Sequence, residues 1–248
     1  MTEPFINVMT LLDGVSNPTR DQRLKNVWSS WYRLTYPRDR MKFVFGVPRG
    51  SAQEKIVKTF FKRKYEIMDI PFANEAPDAP SHYERFKMMG GYRDLLIKHA
   101  RDTCDYGWFL DSDVMPPPET PAYFVEDAQN IVGGIVRIPD SRGGVSMGFG
   151  FFMPEHRFAA AIPPNVTLMQ SGSVNTACMC LSKQVMFDDR LAFEHIVAKG
   201  ELGQVMDISE DHSFCLRANL LGYKVFVDTR VKCKHLRIFG NRCVTLMP

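Results

Sequence analysis

The first part of the chain alternates short apolar runs with longer amphipathic segments, and this rhythm limits the fold more than any other feature. Apolar runs typical of strands lie at 5–12, 41–47, 65–70 and 106–110. Helical spacing of apolar residues predicts helices at 19–34, 51–63 and 84–101. Strands that alternate with helices usually pair in parallel, with helices on both faces of the sheet. The sequence therefore predicts an α/β fold with a Rossmann-like, mostly parallel central sheet flanked by helices.

The remaining residues are less regular, but they still contain recognisable elements. Further strands are expected at 133–138, 145–153, 177–182, 223–228 and 231–236. Further helices are expected at 190–199 and 210–221. We expect these strands to form, in part, a smaller sheet beside the first. The prediction is one domain over 1–248, with two parts, 1–113 and 114–248, that meet at the end of the fourth strand.

Composition excludes several classes of protein. The 248 residues contain 31 Lys+Arg and 28 Asp+Glu, a net charge of +3, with 45% hydrophobic residues. These values are ordinary for a globular domain and exclude a disordered chain or a collagen-like fibre. No apolar run approaches the roughly 20 residues of a membrane span, and the start has no basic segment typical of a signal peptide. Six cysteines without an export signal are expected to be reduced, as in the cytoplasm of a cell or of an infected host.

The most informative motif is FLDSDVMPPP at 109–118, where an apolar strand ends in two acids. Ligands of open α/β sheets bind beyond the carboxyl ends of the strands. Because proline cannot extend a central strand, residues 116–118 favour a turn that brings Asp111 and Asp113 towards one cation. Carboxylate oxygens suit Mg²⁺ or Mn²⁺ that also bind substrate phosphates. The alternative is that both acids only form the turn.

Two later features add acids and an imidazole. Ser209 is a plausible N-cap for a helix whose first turn contains Glu210 and Asp211. These acids either stabilise the helix start or supply a general base near the metal. His235 ends the run VKCKHL and is either a structural histidine or a metal ligand. A zinc site with Cys233 and Cys243 lacks an evident fourth ligand.

In this order, LDSDV, ISEDHSFCLRANLLGYKVFVD and VKCKHL together resemble the GT-A nucleotide-sugar glycosyltransferases of the family 2 type. In that type a D-x-D motif is followed by an E-D helix and a late histidine. The resemblance covers roughly residues 5–236 and is specific at 106–113 and 209–235. It implies the GT-A fold, with a nucleotide-binding half, 1–113, and an acceptor-binding half, 114–248, that contains the smaller sheet.

The resemblance also implies roles for individual residues. Asp113 would bind Mn²⁺ or Mg²⁺ directly, Asp111 would contact the ribose or the water shell of the metal, and His235 would complete the metal site. Asp211 would take the proton from the acceptor hydroxyl, and Glu210 would hold the acceptor or a loop. By analogy, we expect inversion at the anomeric carbon.

The donor is expected to be a nucleoside diphosphate sugar, with a UDP-sugar as the first expectation. The residues implied in donor binding are Thr10, Leu12, Asp13, Arg93, Asp94, Asp111, Ser112, Arg237 and Arg242. Of these, Arg237 and Arg242 follow the histidine and could hold the departing phosphate, or could be ordinary surface charge. The usual acid at the end of the second strand is missing, since that segment offers Gly46 and Arg49. This departure leaves the nucleobase open.

Residues 20–65 contain many more basic than acidic side chains. They either form solvated helix faces or bind a polyanionic acceptor such as DNA with hydroxymethylated bases. The function expected is transfer of a hexosyl or pentosyl group by a metal-dependent glycosyltransferase. One alternative is a metal-dependent phosphodiesterase or nuclease. The other is a catalytically inactive module that binds a sugar nucleotide.

Overall fold

The structure, a computed structural model, describes residues 2–14, 17–71, 82–139, 145–146, 149–150, 165–199, 205–239 and 242–247. In the first part of the chain the elements are β1 Ile6–Leu11, α1 Pro18–Trp31, β2 Met41–Val47, α2 Ala52–Phe60, β3 Tyr65–Asp69, α3 His82–Ala100 and β4 Tyr106–Leu110. Then follow β5 Val114–Met115, α4 Thr120–Asp127, β6 Ile131–Val136, β7 Ile138–Pro139, β8 Val145–Ser146, β9 Phe149–Gly150, β10 Leu168–Ser171 and β11 Ser173–Val174. The last elements are β12 Cys178–Ser182, α5 Lys183–Met186, β13 Ile196–Lys199, β14 Val205–Ile208, α6 Glu210–Leu220, β15 Val225–Phe239 and β16 Arg242–Leu246. Over these ranges, no helix combines the length and the apolar character that crossing a bilayer requires.

Ten strands form one mixed sheet within the described residues. Its main path is β10-β15-β6-β12-β4-β1-β2-β3, and β5 and β16 also pair with β15. Most neighbours on this path are parallel, although β12 runs antiparallel to both β4 and β6. Helices pack on both faces of the sheet. The predicted α/β fold with a mostly parallel central sheet is therefore confirmed. The separate sheets in the described part of the second half are short two-stranded ribbons, β7–β8, β9–β11 and β13–β14.

The strand order places the site at the carboxyl ends of the neighbouring strands β1 and β4. The chain passes from β1 outwards to β2 and β3 and then returns to β4 on the other side of β1, in parallel with it. This reversal is a topological switch point, and the carboxyl ends of parallel strands on either side of it leave a crevice. The segments that leave β1 and β4 here are 12–14 and 111–113.

The helices next to this edge begin with local capping signals. At α1, the side chain of Asn17 accepts a hydrogen bond from the backbone N–H of Arg20, and Pro18 occupies the first helical turn. At α2, Ser51 caps the backbone N–H of Glu54. At the end of α6, Gly222 adopts φ +90°, as expected of the glycine that follows a helix. The sequence therefore specifies both the start and the end of these elements.

The core has two faces. On one, Trp28 and Trp31 of α1 are fully buried, and the Trp31 ring stacks on Phe43 of β2 with centroids 5.6 Å apart. The helical spacing of these tryptophans therefore reflects core packing. On the other face, Phe193 and Phe214 stack with centroids 4.2 Å apart, beneath α3 and α6. The second stack joins α6, which carries candidate site residues, to the segment between α5 and β13.

β15 is one long strand where two short strands, 223–228 and 231–236, were expected. Its pairing with β6 shifts register between Val227 and Lys232. The irregularity is held by the guanidinium of Arg230, which pairs with Asp228, Asp127 and Glu126 at 2.9, 2.7 and 2.9 Å. The predicted interruption is therefore a bulge within a continuous strand.

Two other predictions differ from the structure. The expected helix at 190–199 is wrong, because Ile196–Lys199 form a strand that pairs with β14. The β-branched residues Ile196 and Val197 favour this extended form. Of the expected strand 145–153, the structure describes β8 and β9, while 147–148 and 151–153 lie outside the described residues.

Candidate active site

A tight turn after β4 presents the two acids of the D-x-D motif. The backbone N–H of Asp111 donates to the carbonyl of Ala177 at 3.1 Å, and Val114 N–H closes the turn on the carbonyl of Asp111 at 3.0 Å. β5 then pairs with β15, where Val114 lies opposite His235. The backbone N–H of Leu236 also donates to the carbonyl of Asp113 at 2.7 Å. These backbone contacts hold β15 against the acidic turn.

The carboxylate of Asp113 is surrounded by basic groups. His235 Nε2 lies 3.3 Å from Asp113 Oδ1, while Arg23 Nη1 and Arg237 Nη1 lie 3.3 and 3.9 Å from Oδ2. Burial opposes ionisation of Asp113, but these neighbours outweigh it and hold the pKa of its carboxyl below the ordinary value. For His235, burial opposes the charge, yet the bond to Asp113 raises its pKa.

A second group of charges gathers around Arg93 of α3. The guanidinium of Arg93 forms a buried ion pair with Glu210, and it also faces the carboxylates of Asp111 and Asp211. Burial raises the pKa of Asp111 to about 6, against the opposing effect of Arg93. The pKa of Glu210 is also raised by burial. Arg93 therefore balances three acids from two distant segments.

The start of α6 orients Asp211. Ser209 Oγ donates to Asp211 Oδ1 at 2.5 Å, and the backbone N–H of His212 donates to the same oxygen at 2.8 Å. Ser209 occupies the predicted N-cap position, but its hydroxyl bonds side chains and not the helix backbone. The carboxylate of Asp211 is thus held at one oxygen, which fixes its direction.

Close packing of α3 on α6 depends on Gly90. A Cβ atom at Gly90 would lie 2.1 Å from the carbonyl oxygen of Phe193 and 3.4 Å from Cβ of Glu210. At the next residue, Gly91, an added Cβ would meet nothing within 4 Å. The absence of a side chain at Gly90 lets α3 approach close enough for Arg93 to reach Glu210.

The other predicted donor residues lie around the same edge or away from it. Thr10 is buried, and its Oγ1 donates to the carbonyl of Leu110 at 2.8 Å, so it joins β1 to β4. Leu12 is buried, while Asp13 pairs with Arg20 at 2.6 Å. Thr10 and Leu12 are thus packed inside the fold, whereas the side chain of Asp13 is partly exposed beyond β1, and the roles of all three in donor binding stay predictions.

Three more predicted residues differ in their surroundings. Ser112 lies half-buried at the middle of the acidic turn. Asp94 accepts a hydrogen bond from the backbone N–H of Phe193 at 3.0 Å, so its carboxylate supports the β12–β13 connection. For Arg242, only the backbone strand β16 belongs to the described residues. The roles of all three in donor binding stay predictions.

The side chains of Asp113 and His235 offer ligand atoms that suit a divalent cation, which a substrate could also bind. Within the described ranges, no three His, Cys, Asp or Glu side chains converge closely enough to form a metal site alone. Mg²⁺ commonly uses only one or two protein ligands and takes the rest from water and phosphates. His235 Nδ1 donates to the carbonyl of Arg137 at 2.7 Å, which leaves Nε2 directed at Asp113 as a possible ligand atom. Asp113 and His235 are therefore suitable as a pair.

Sequence reasoning missed two contributors. Arg23 belongs to the basic segment 20–65, for which the sequence indicates either solvated charge or a polyanion-binding surface, yet its side chain is 17% exposed and pairs with Asp113. Because Arg23 is 90 residues from Asp113 in the sequence, no local motif indicates this contact. Gly90 was also missed, although the pair GG inside a strongly helical segment indicates that a packing reason exists.

Comparisons with known proteins support the fold. No protein-family model matches the chain, and no curated protein matches it in sequence. Among solved structures, S. aureus TarS in complex with UDP-GlcNAc is 15% identical over 91% of this chain, with a TM-score of 0.55. A mannosyltransferase, PcManGT from Pyrobaculum calidifontis in complex with GDP-Man and Mn²⁺, is 13% identical over 92%, with a TM-score of 0.51.

These similarities show a fold and not a particular protein. The chain spans 55% of the length of each of these two structures. Together with the mostly parallel sheet flanked by helices, they establish a GT-A-like fold for this chain. The ligands of TarS and PcManGT are properties of those proteins.

Proposed function

We propose that the protein is a glycosyltransferase that uses a divalent metal ion and a nucleoside diphosphate sugar. The observation that carries this proposal is the meeting of Asp113 with His235 at the carboxyl end of β4. The two residues are distant in the sequence but meet where β5 pairs with β15, and the pair lies at the carboxyl end of β4, where ligands bind in open α/β sheets. The UDP-GlcNAc and the GDP-Man with Mn²⁺ bound by the two similar structures support the same chemistry.

In this proposal Asp113 and His235 hold Mn²⁺ or Mg²⁺, and Asp111 contributes through the water shell or the ribose. A divalent ion bound there would act as a Lewis acid that neutralises the charge of the departing diphosphate. Arg237, whose side chain is 44% exposed beside Asp113, would hold the same leaving group. The protein thus concentrates its cationic groups where negative charge grows during transfer.

Asp211 is the proposed base. As the acceptor oxygen bonds to the anomeric carbon, its proton passes to Asp211, and the bond between that carbon and the phosphate oxygen breaks. This arrangement predicts inversion at the anomeric carbon. Glu210, paired with Arg93, would keep the start of α6 in place and would set the position of Asp211 relative to the acceptor.

A UDP-sugar is the first donor to test. The nucleobase would lie at the carboxyl ends of β1 and β2, beside Leu12 and Asp13. At the end of β2, Arg49 is paired with Asp69 of β3, its Nε 3.2 Å from Oδ2. An acid is thus present on the neighbouring strand, although β2 itself lacks one. A purine nucleotide therefore belongs in the same panel.

A nucleic-acid acceptor such as hydroxymethylated DNA is part of the proposal. Several basic residues of the segment 20–65 are already paired with carboxylates, namely Arg20, Arg23, Lys42, Arg49 and Lys58. The exposed remainder would bind DNA through phosphates, so affinity should fall steeply as salt rises. DNA binding that is indifferent to salt, or undetectable, would remove this acceptor class.

The decisive experiment is a panel of nucleotide sugars with Mn²⁺, read by thermal shift and by transfer of labelled sugar to hydroxymethylated DNA and to simple glycosides. Ligand binding should raise the melting temperature for at least one donor. Binding with neither transfer nor donor hydrolysis would favour an inactive binding module. Cleavage of DNA without sugar transfer would favour the nuclease alternative.

A further inference from the structure

The basic groups around Asp113 exceed what one carboxylate needs. Arg23 and Arg237 share its Oδ2, and His235 faces its Oδ1. Two guanidinium groups and an imidazole face the carboxylate of Asp113, and the other acid of the turn, Asp111, interacts more strongly with Arg93 than with Asp113, so basic groups are in excess at Asp113 itself. Such an excess favours an additional anion close to Asp113.

Arg23 also has hydrogen-bond donors to spare. Its Nη1 contacts Asp113, while its Nε is buried and has no hydrogen-bond partner among the described residues. A guanidinium carries five N–H donors in a planar fork that suits phosphate oxygens. One contact at 3.3 Å to a single carboxylate oxygen uses little of this capacity.

The Arg93 side of the site has the opposite balance. There, one guanidinium faces three acids, Glu210, Asp111 and Asp211. An anionic group would be repelled from that side, since three carboxylates against one cation leave a negative excess. A diphosphate entering the crevice is therefore directed towards Arg23.

We propose that Arg23 is a binding residue for the diphosphate of the donor, reaching it from α1 while Arg237 reaches it from β15. This inference rests on the proposed function for the identity of the ligand. In the complex, the phosphate oxygens take over the N–H donors that Asp113 engages, and the carboxylate of Asp113 becomes available for the cation. Arg23 and Asp113 then serve successive partners within one site.

The competing explanation is that Arg23 only stabilises the ionised form of Asp113. Both explanations predict a stability loss in Arg23→Ala, so stability cannot separate them. They differ in Asp113→Asn, where the carboxylate is removed and Arg23 loses its partner. If Arg23 binds phosphate, this variant should bind an anion more tightly without metal, and the gain should depend on Arg23.

The experiment is isothermal titration calorimetry with inorganic pyrophosphate in the presence of a chelator, which is independent of nucleobase and sugar. Asp113→Asn should bind pyrophosphate more tightly than the wild type. Adding Arg23→Ala to it should weaken binding by roughly 10- to 100-fold, as expected for a charge-assisted hydrogen bond. Arg23→Lys should recover part of that loss. Arg33→Ala, which removes the same charge from an exposed position just beyond α1, is the matched control.

Two results would overturn the assignment. One is equal pyrophosphate affinity in Asp113→Asn with and without Arg23, and the other is an equal loss in the Arg33→Ala control. If sugar transfer is observed while either result holds, only the role of Arg23 fails. If pyrophosphate binding depends on Arg23 but no nucleotide sugar is bound or transferred, the anion site stands and the proposed function fails.

Discussion

The two arginine-bearing sides of the site differ in how completely their charges are enclosed. The side chains of Arg93 and Glu210 are 7% and 5% exposed, whereas those of Arg23 and Asp113 are 17% and 15% exposed. A buried pair is costly to break, because the remaining charge stays desolvated. A partly exposed pair can exchange its partner for a ligand or water. The Arg93 side therefore sets the geometry, and the Asp113 side is suited to exchange.

The largest expected effects separate the two sides by function. Asp211→Asn, on the Arg93 side, should lower the transfer rate by about 10²- to 10⁴-fold and spare donor binding, since it removes only the base. Asp113→Ala should abolish metal-dependent donor binding. Steady-state kinetics and calorimetry with the donor identified by screening would measure both, with the exposed Asp39→Asn as control. Full transfer activity in Asp211→Asn would exclude it as the base.

Breaking the buried pair tests whether the Arg93 side is structural. Glu210→Ala should lower the free energy of unfolding by about 3 kcal/mol, because Arg93 would lose its closest partner in a buried position. Glu210→Gln keeps the volume and a hydrogen-bond acceptor for Arg93 and should lose less. Urea denaturation measures each value. A Gln variant that is as unstable as the Ala variant would argue against the loss of a partner for Arg93 as the cause.

The two acids of the turn should respond to pH in opposite directions when metal is chelated. Asp111 has a raised pKa of about 6, so the folded state holds its proton more tightly than the unfolded state. Its contribution to stability is therefore present below about pH 4 and is lost as pH rises to about 6. Asp113 has a lowered pKa, so its contribution is present above about pH 4 and is lost in more acidic solution.

Denaturation curves between pH 3 and 7 check this contrast. Asp111→Asn should remove the decrease between about pH 4 and 6, an effect on the order of 2 kcal/mol. Asp113→Asn should be less stable than the wild type at pH 7, and the difference should shrink towards pH 3. The same pH profile in both variants would show that the two carboxylates share one environment.

The smallest effects come from neighbouring glycines of α3. Gly90→Ala should destabilise the protein by about 1–3 kcal/mol, because its Cβ would collide with a backbone carbonyl that cannot move away easily. Gly91→Ala should stabilise it by about 0.5–1 kcal/mol, since its Cβ enters open space and alanine favours helix. Thermal denaturation of both variants is sufficient. Equal effects would mean that α3 does not depend on close contact at Gly90.

Much of the fold could be predicted from the sequence, because the spacing of apolar residues indicates which side of an element is buried. The first four strands and three helices follow from apolar spacing, and their observed bounds lie close to the predicted ones. The turn after β4 could also be predicted, since two acids and a triple proline end an apolar strand there. At 190–199, the mixed apolar pattern did not distinguish a helix from a short strand, and pairing with β14 decided the outcome.

The site could be predicted only in part, for a different reason. Charged residues at a sheet edge can be found from strand ends, as with Asp111 and Asp113. Arg23 lies on a partly exposed helix face, and nothing in its neighbourhood indicates which distant carboxylate its flexible side chain reaches. Gly90 and Gly91 are equivalent in a helical pattern, and only the approach of Phe193 distinguishes them. Such contacts depend on tertiary packing.

The bulge in β15 has a consequence for any insertion or deletion in this strand. Side chains alternate between the two faces of a strand, so a shift of one residue exchanges the faces of everything beyond it. Removing a single residue between Val227 and Lys232 would bring Leu236 to the place of His235 opposite β5, and inserting one would bring Lys234 there. The number of residues in the irregular stretch thus decides which side chains of β15 face the site.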